Sequence, residues 1–136
     1  MKLLSAFALA TALVLTAGCA SKPAAPAQSV SFLQPADGAT VTSPFVVRFG
    51  VTGMQVQPAG TMTADTGHHH LLIDAADMAT MAVIPFDDQH MHFGKAQTET
   101  TLTLKPGKYK LTMQFGNGAH QAYGPTMSQS INVTVQ

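Results

Sequence analysis

The chain has no tryptophan and a single cysteine in 136 residues. One thiol cannot close an intramolecular disulfide, so the fold has to be held by its own apolar core. Charge is scarce as well, with seven basic and seven acidic residues and a formal net charge of zero. No basic patch offers a phosphate-binding footprint, which argues against a nucleic-acid partner, and no acidic run suggests a polyelectrolyte tail. Beyond residue 20 no segment carries a sustained helical period. Familiar hydrolytic machinery is missing too: the sequence holds no G-x-S-x-G elbow and no H-E-x-x-H pair.

The only long apolar run lies at the start, MKLLSAFALATALVLTAGC. Lys2 supplies a positive n-region, Leu3 to Leu15 an apolar h-region, and Thr16-Ala17-Gly18 a small-residue cleavage site. Such a run is too short to span a hydrocarbon core of ~30 Å and reads as a signal peptide over residues 1–18. Cys19 follows directly. Small residues before a cysteine resemble a lipobox, in which that cysteine becomes the lipidated N-terminus, although Thr16 stands where the pattern prefers Leu. The alternative is an ordinary signal peptide with an incidental cysteine. Ala20, in place of Asp, suits sorting to the outer membrane, facing the periplasm. Residues 19–28 are small and Pro-rich and read as a flexible tether; residues 29–136 suffice for one small domain.

Within that domain the period is two. Val30 and Phe32 alternate with serines, and Phe45, Val47, Phe49 and Val51 share a face with Arg48 on the other. Tyr109, Leu111, Met113 and Phe115 form another apolar face, as do Ile131, Val133 and Val135. Two long connections, 53–66 and 75–89, interrupt the strands, and Asn117-Gly118 marks a turn. About seven short strands with turn signals between them predict an all-β, antiparallel β-sandwich of immunoglobulin type. LKPGKY, a Pro-Gly turn followed by Tyr109 at a strand start, predicts a tyrosine corner.

What the chain does have is histidine, six in all, five of them between Gly67 and Lys95 in GHHHLLID and HMHFGK. Residues i and i+2 of a strand point the same way, ~6.5–7 Å apart. If Leu71 and Ile73 face the core, His68 and His70 point to the solvent side with Asp74; if Met91 and Phe93 do, His90 and His92 point outward too. Two His-x-His pairs on neighbouring strands would bring up to four imidazoles together, at bond lengths of ~2.0–2.1 Å from one ion. Imidazole suits copper, zinc, nickel and iron. His68, His70, His90 and His92 are thus the expected ligands, with His120 and His69 as further candidates and Asp74 as a carboxylate orienting a ligand N–H. His69 would lie beside the core, as a rim ligand or a hydrogen-bonded packing residue.

Eight methionines add a soft-ligand possibility. Met113 fits a core face, while Met54, Met62, Met78, Met81 and Met127 fall in or near loops; methionine is also a routine core filler, so they favour copper over zinc only slightly. Asp87, Asp88 and Glu99 could act as bases in a metallohydrolase, though nothing in the pattern fixes them beside a metal. Two other readings stand: a surface or pH-responsive histidine cluster, and an interaction module whose histidines line a groove for a protein or envelope partner.

Through GHHHLLID, HMHFGKAQTETTLTLKPGKYKL and PTMSQSINVTV, the chain resembles domain-of-unknown-function family 4399, small exported bacterial proteins that are often lipoproteins. The resemblance covers Val30 to Val135 and matches the family pattern at His68, His69, His70, His90, His92, Phe93, Gly94, Lys95 and His120. Tyr109 departs from it, standing where many members carry His, and QAYGPTMS replaces a segment that often holds a further histidine. More locally, LKPGKYKLTMQFGNGAHQAYG is similar to the end of copper-resistance domains of the CopC type, which implies a periplasmic β-sandwich binding copper. The expectation is therefore a lipid-anchored, non-enzymatic β-sandwich that captures, buffers or delivers copper, or failing that zinc.

Overall fold

The structure, a computed structural model, describes Ala24 and residues 27–136. The expected signal peptide, Cys19 and most of the tether lie outside the described residues. Nine strands follow one another: β1 Ser29–Gln34, β2 Thr40–Val41, β3 Phe45–Thr52, β4 Gln55–Val56, β5 Thr66–Ile73, β6 His90–His92, β7 Glu99–Leu102, β8 Gly107–Gly116 and β9 Ser128–Val135. A short 3-10 turn, Pro125–Met127, leads into the last. The expectation of about seven strands missed β2 and β4, which at two residues each are too short to show a period.

The strands form two sheets, β1-β3-β7 and β2-β9-β8-β5-β4, with β6 also paired to β5. Pairing is antiparallel except for β2 on β9 and β4 on β5. The β-sandwich expected from the sequence is what forms. Its core takes the faces that alternation selected: Val47, Phe49, Leu71, Leu111, Met113, Phe115, Ile131, Val133 and Val135 are all buried. Each large apolar side chain removed from water in this way contributes roughly 1.5–3 kcal/mol. The Tyr109 hydroxyl donates to the Lys105 carbonyl at 3.0 Å, making the predicted tyrosine corner.

The element that positions the site is β5. Along one edge it pairs with β8, His70 opposite Gln114 and Leu71 opposite Met113. Its other edge is shared, with β4 meeting Thr66 and Gly67 and β6 meeting His70, Leu71 and Leu72. All but the last of its eight residues are buried. A half-exposed strand would alternate, so β5 must be covered on both faces. One cover is the sandwich core. The other comes from the 75–89 connection: Ile84 N–H donates to the His120 carbonyl, Met81 N–H to the Ala122 carbonyl, and Ala122 N–H to the Ala82 carbonyl. That small ladder lies alongside the end of β8, where Tyr123 N–H donates to the Phe115 carbonyl.

Candidate metal centre

His68 and His70 share the face of β5 opposite the sandwich core, as the period-two argument requires. They are not on a solvent face: their exposures are 0% and 1%. The expectation of outward, wet imidazoles is corrected here, because an alternating strand reveals which residues share a face and not what covers it. Antiparallel register puts His92 directly opposite His70, so its ring falls on the same side. His120 arrives from the turn after β8. It has a left-handed backbone, φ 60°, held by the Asn117 side chain, whose Oδ1 accepts the amides of Ala119 and Gln121 at 2.9 and 3.0 Å. A non-glycine residue in that region costs of order 1 kcal/mol and persists where its surroundings hold it.

These four rings converge. One ligand nitrogen from each of His68, His70, His92 and His120 lies within 4.8 Å of every other. His68 Nε2 is 3.2 Å from His120 Nδ1 and 3.2 Å from His92 Nε2. Four ligands around one ion at ~2.0–2.1 Å would stand about 3.4 Å apart in a tetrahedron. Nδ1 of His68 and both ring nitrogens of His70 are buried without a hydrogen-bond partner. Neutral polar atoms left so cost about 1–3 kcal/mol each, and an ion accepting their lone pairs removes part of that cost.

Glycine makes room for the rings. A Cβ on Gly94 would collide with the His92 ring, and one on Gly116 would come within 2.9 Å of His70 Cε1. Phe86, 64% exposed, stands edge-on to His92 and His120 with ring centres 5.1 and 5.0 Å away. Burial foremost, then the neighbouring imidazoles of His92 and His120, lowers the pKa of His68 from 6.5 to about 4. The same causes hold His70 lower still, with the His68 ring first among its neighbours. His92 is also lowered, by burial and then by His120. At neutral pH these three rings carry no proton on one nitrogen and have a lone pair to give.

The remaining candidates go elsewhere. His90 faces the same side as Leu72, and its Nδ1 meets Asp87 Oδ1 at 2.6 Å; it is not among the four converging rings. His69 points to the opposite face, between Phe49 and Phe115 at 5.1 and 5.0 Å. It is the packing residue that the alternation implied, but neither ring nitrogen has a hydrogen-bond partner. Asp74 orients no ligand: its Oδ1 accepts the Lys110 amide at 2.7 Å. Glu99 pairs with Arg48 at 3.0 Å. Met127 is in the core and Met54 packs against it, whereas Met62 and Met81 are exposed. Sequence reasoning marked Asn117 only as part of a turn, without linking it to the site, and did not single out Phe86, Ile84 or Gly116. The apolar run MAVIPF inside the 75–89 connection was the available signal.

Residues 47–136 match the domain of unknown function DUF4399. The chain belongs to that family. Its DUF4399 region contains all six histidines and the whole 75–89 connection that covers one face of β5. No curated protein matches the chain. Among solved structures it is similar to the X-ray structure of the endo-beta-1,4-mannanase from Thermotoga petrophila, at 15% identity and a TM-score of 0.48, over 80% of this chain and 20% of that one. The DUF4399 chain thus spans about a fifth of that protein's length.

Proposed function

We propose that this domain binds a transition-metal ion through His68, His70, His92 and His120, copper ahead of zinc, and that it captures, buffers or delivers the ion. The observation that carries the reading is the convergence of four ligand nitrogens within 4.8 Å, two of the rings being buried in β5. Four protein ligands fill a tetrahedral ion's coordination and leave no open position for a water nucleophile, which supports a binding role over a hydrolytic one. The leader and Cys19 support attachment to the cell envelope by a lipid anchor, facing the periplasm.

Calorimetric titration of the purified protein with copper and zinc tests this. One-to-one saturable binding with a raised melting temperature is expected, because a ligand held only by the native state stabilises it. Unchanged stoichiometry and affinity after joint replacement of His70 and His92 by Ala would defeat the proposal.

A second reading rests on the cover. Met81, Val83 and Phe86 are exposed at 55%, 65% and 64%, so the rim of the histidine cluster presents apolar surface suited to a protein partner. In that reading chelators leave both stability and partner binding unchanged, whereas metal binding predicts that they lower the melting temperature.

A further inference from the structure

The four rings define a coordination shape as well as a location. An ion bonded at ~2.0–2.1 Å would hold four imidazole ring centres about 5.2 Å apart in a tetrahedron, but about 4.5 and 6.4 Å apart in a square. The six separations here are 4.6, 4.9, 5.1, 5.2, 6.0 and 4.7 Å. Four points in a plane must differ in spacing by a factor of at least about 1.4, whereas these run only from 4.6 to 6.0 Å. The ring centres are therefore not coplanar, and their separations scatter around the tetrahedral value, with the His70–His120 pair the widest.

Charge points the same way. Every ligand is a neutral imidazole, and among the described residues no carboxylate joins the group. Around them lie apolar groups: Ile84 touches the space beside His70, and Phe86 covers His92 and His120. The cost of moving an ion out of water rises with the square of its charge, and nothing anionic here offsets a second positive charge. Divalent copper prefers square-planar or tetragonal surroundings. The univalent ion has a filled d shell and no such preference.

We infer that this site selects copper in its univalent state over its divalent state, through a tetrahedral set of four neutral imidazoles built into β5, β6 and the turn after β8. The inference rests on the metal-binding reading proposed above. It concerns which oxidation state the site holds, and so which redox conditions load and unload it. Relative to copper(I), a copper(II) ion in the same site meets a shape and charge environment that stabilise it less.

The test is a pair of competition titrations of the same protein: copper(I) under anaerobic conditions against a chromophoric copper(I) chelator, and copper(II) against a divalent chelator. Zinc(II) serves as a redox-inert reference. Tighter binding of copper(I) than of copper(II) by at least about tenfold is expected, which raises the reduction potential of the bound couple above the aqueous one by at least about 59 mV. Equal or tighter binding of copper(II) overturns the oxidation-state inference while leaving the metal site standing. Stoichiometric zinc with no copper(I) does the same, and no stoichiometric binding of any ion overturns both. Replacing His120 with Asp adds an anionic oxygen and should move the preference toward copper(II), with a far-UV spectrum confirming that the variant folds. An unchanged ratio in a folded variant would show that ligand charge does not set the preference.

Discussion

Acid should destabilise this domain steeply between pH 7 and pH 5, and the bound ion should blunt the effect. In the unfolded chain a histidine takes up its proton near pH 6.5. In the fold, burial foremost and then the His92 and His120 rings hold His68 down to about 4, and burial followed by the His68 ring holds His69 at about 4. His70 is lowered further, again by burial first. The unfolded state therefore binds more protons than the folded state below pH 6.5, so stability is full above that pH and falls as pH drops toward 4. Each pH unit across the window costs about 1.4 kcal/mol per group, so from pH 7.5 to pH 5 each of the three buried rings removes of order 2 kcal/mol. Together that is up to about 6 kcal/mol, comparable with the whole 5–15 kcal/mol stability of a small domain. Guanidinium denaturation followed by far-UV circular dichroism measures it directly. Saturating zinc, which competes with protons for His68 and His70, should shift the acid transition to lower pH. A metal-free stability that changes by less than about 1 kcal/mol between pH 7.5 and 5 would refute the argument, because it would mean that these rings protonate freely inside the fold.

Four substitutions separate the site from its surroundings. His92→Ala should lower metal affinity by at least about tenfold, whereas His90→Ala, which breaks only the contact with Asp87, should leave it within about twofold; competition with a chromophoric chelator reads both. Gly94→Ala places a methyl group against the His92 ring and should weaken metal binding while costing about 1–3 kcal/mol in denaturant unfolding, as over-packing does. Phe86→Ala removes the edge contacts to His92 and His120, each worth about 0.5–1.5 kcal/mol, and should speed metal release several-fold in a stopped-flow chelator chase.

The fold was legible because alternation is a direct imprint of a sheet with one apolar face. Val47, Phe49, Leu111, Met113 and Phe115 all lie where the pattern put them. The tyrosine corner was legible because a Pro-Gly turn fixes where the next strand begins. The site was only partly so. Period two put His68 and His70 together and His92 with them, but it could not separate His92 from His90, which also shares that face. Register decides that: His92 pairs with His70, whereas His90 pairs one step further along with Leu72 and turns to Asp87. His120 joins through a turn set by Asn117 and a positive φ, a geometry that has no periodic signature. Burial of the cluster depended on pairing between residues 81–84 and 120–122, segments far apart in sequence and without alternation.

His69 shows what a run of three histidines costs a strand. Once His68 and His70 occupy one face, the residue between them must enter the sandwich core, and there is no geometric need for it to be polar. Its ring lies between Phe49 and Phe115, with both nitrogens buried and unpartnered. Such atoms are penalised by about 1–3 kcal/mol relative to being hydrogen-bonded in water, while the carbon frame of the ring fills space that leucine fills comparably. His69→Leu should therefore raise stability at pH 7 by of order 1 kcal/mol, remove one of the three acid-labile groups from the pH dependence, and leave metal affinity unchanged. Denaturant melts at two pH values and one metal titration decide it. Destabilisation by more than about 2 kcal/mol would mean that the His69 ring has a polar partner, and a loss of metal affinity would mean that the core-facing histidine supports the site from behind the strand.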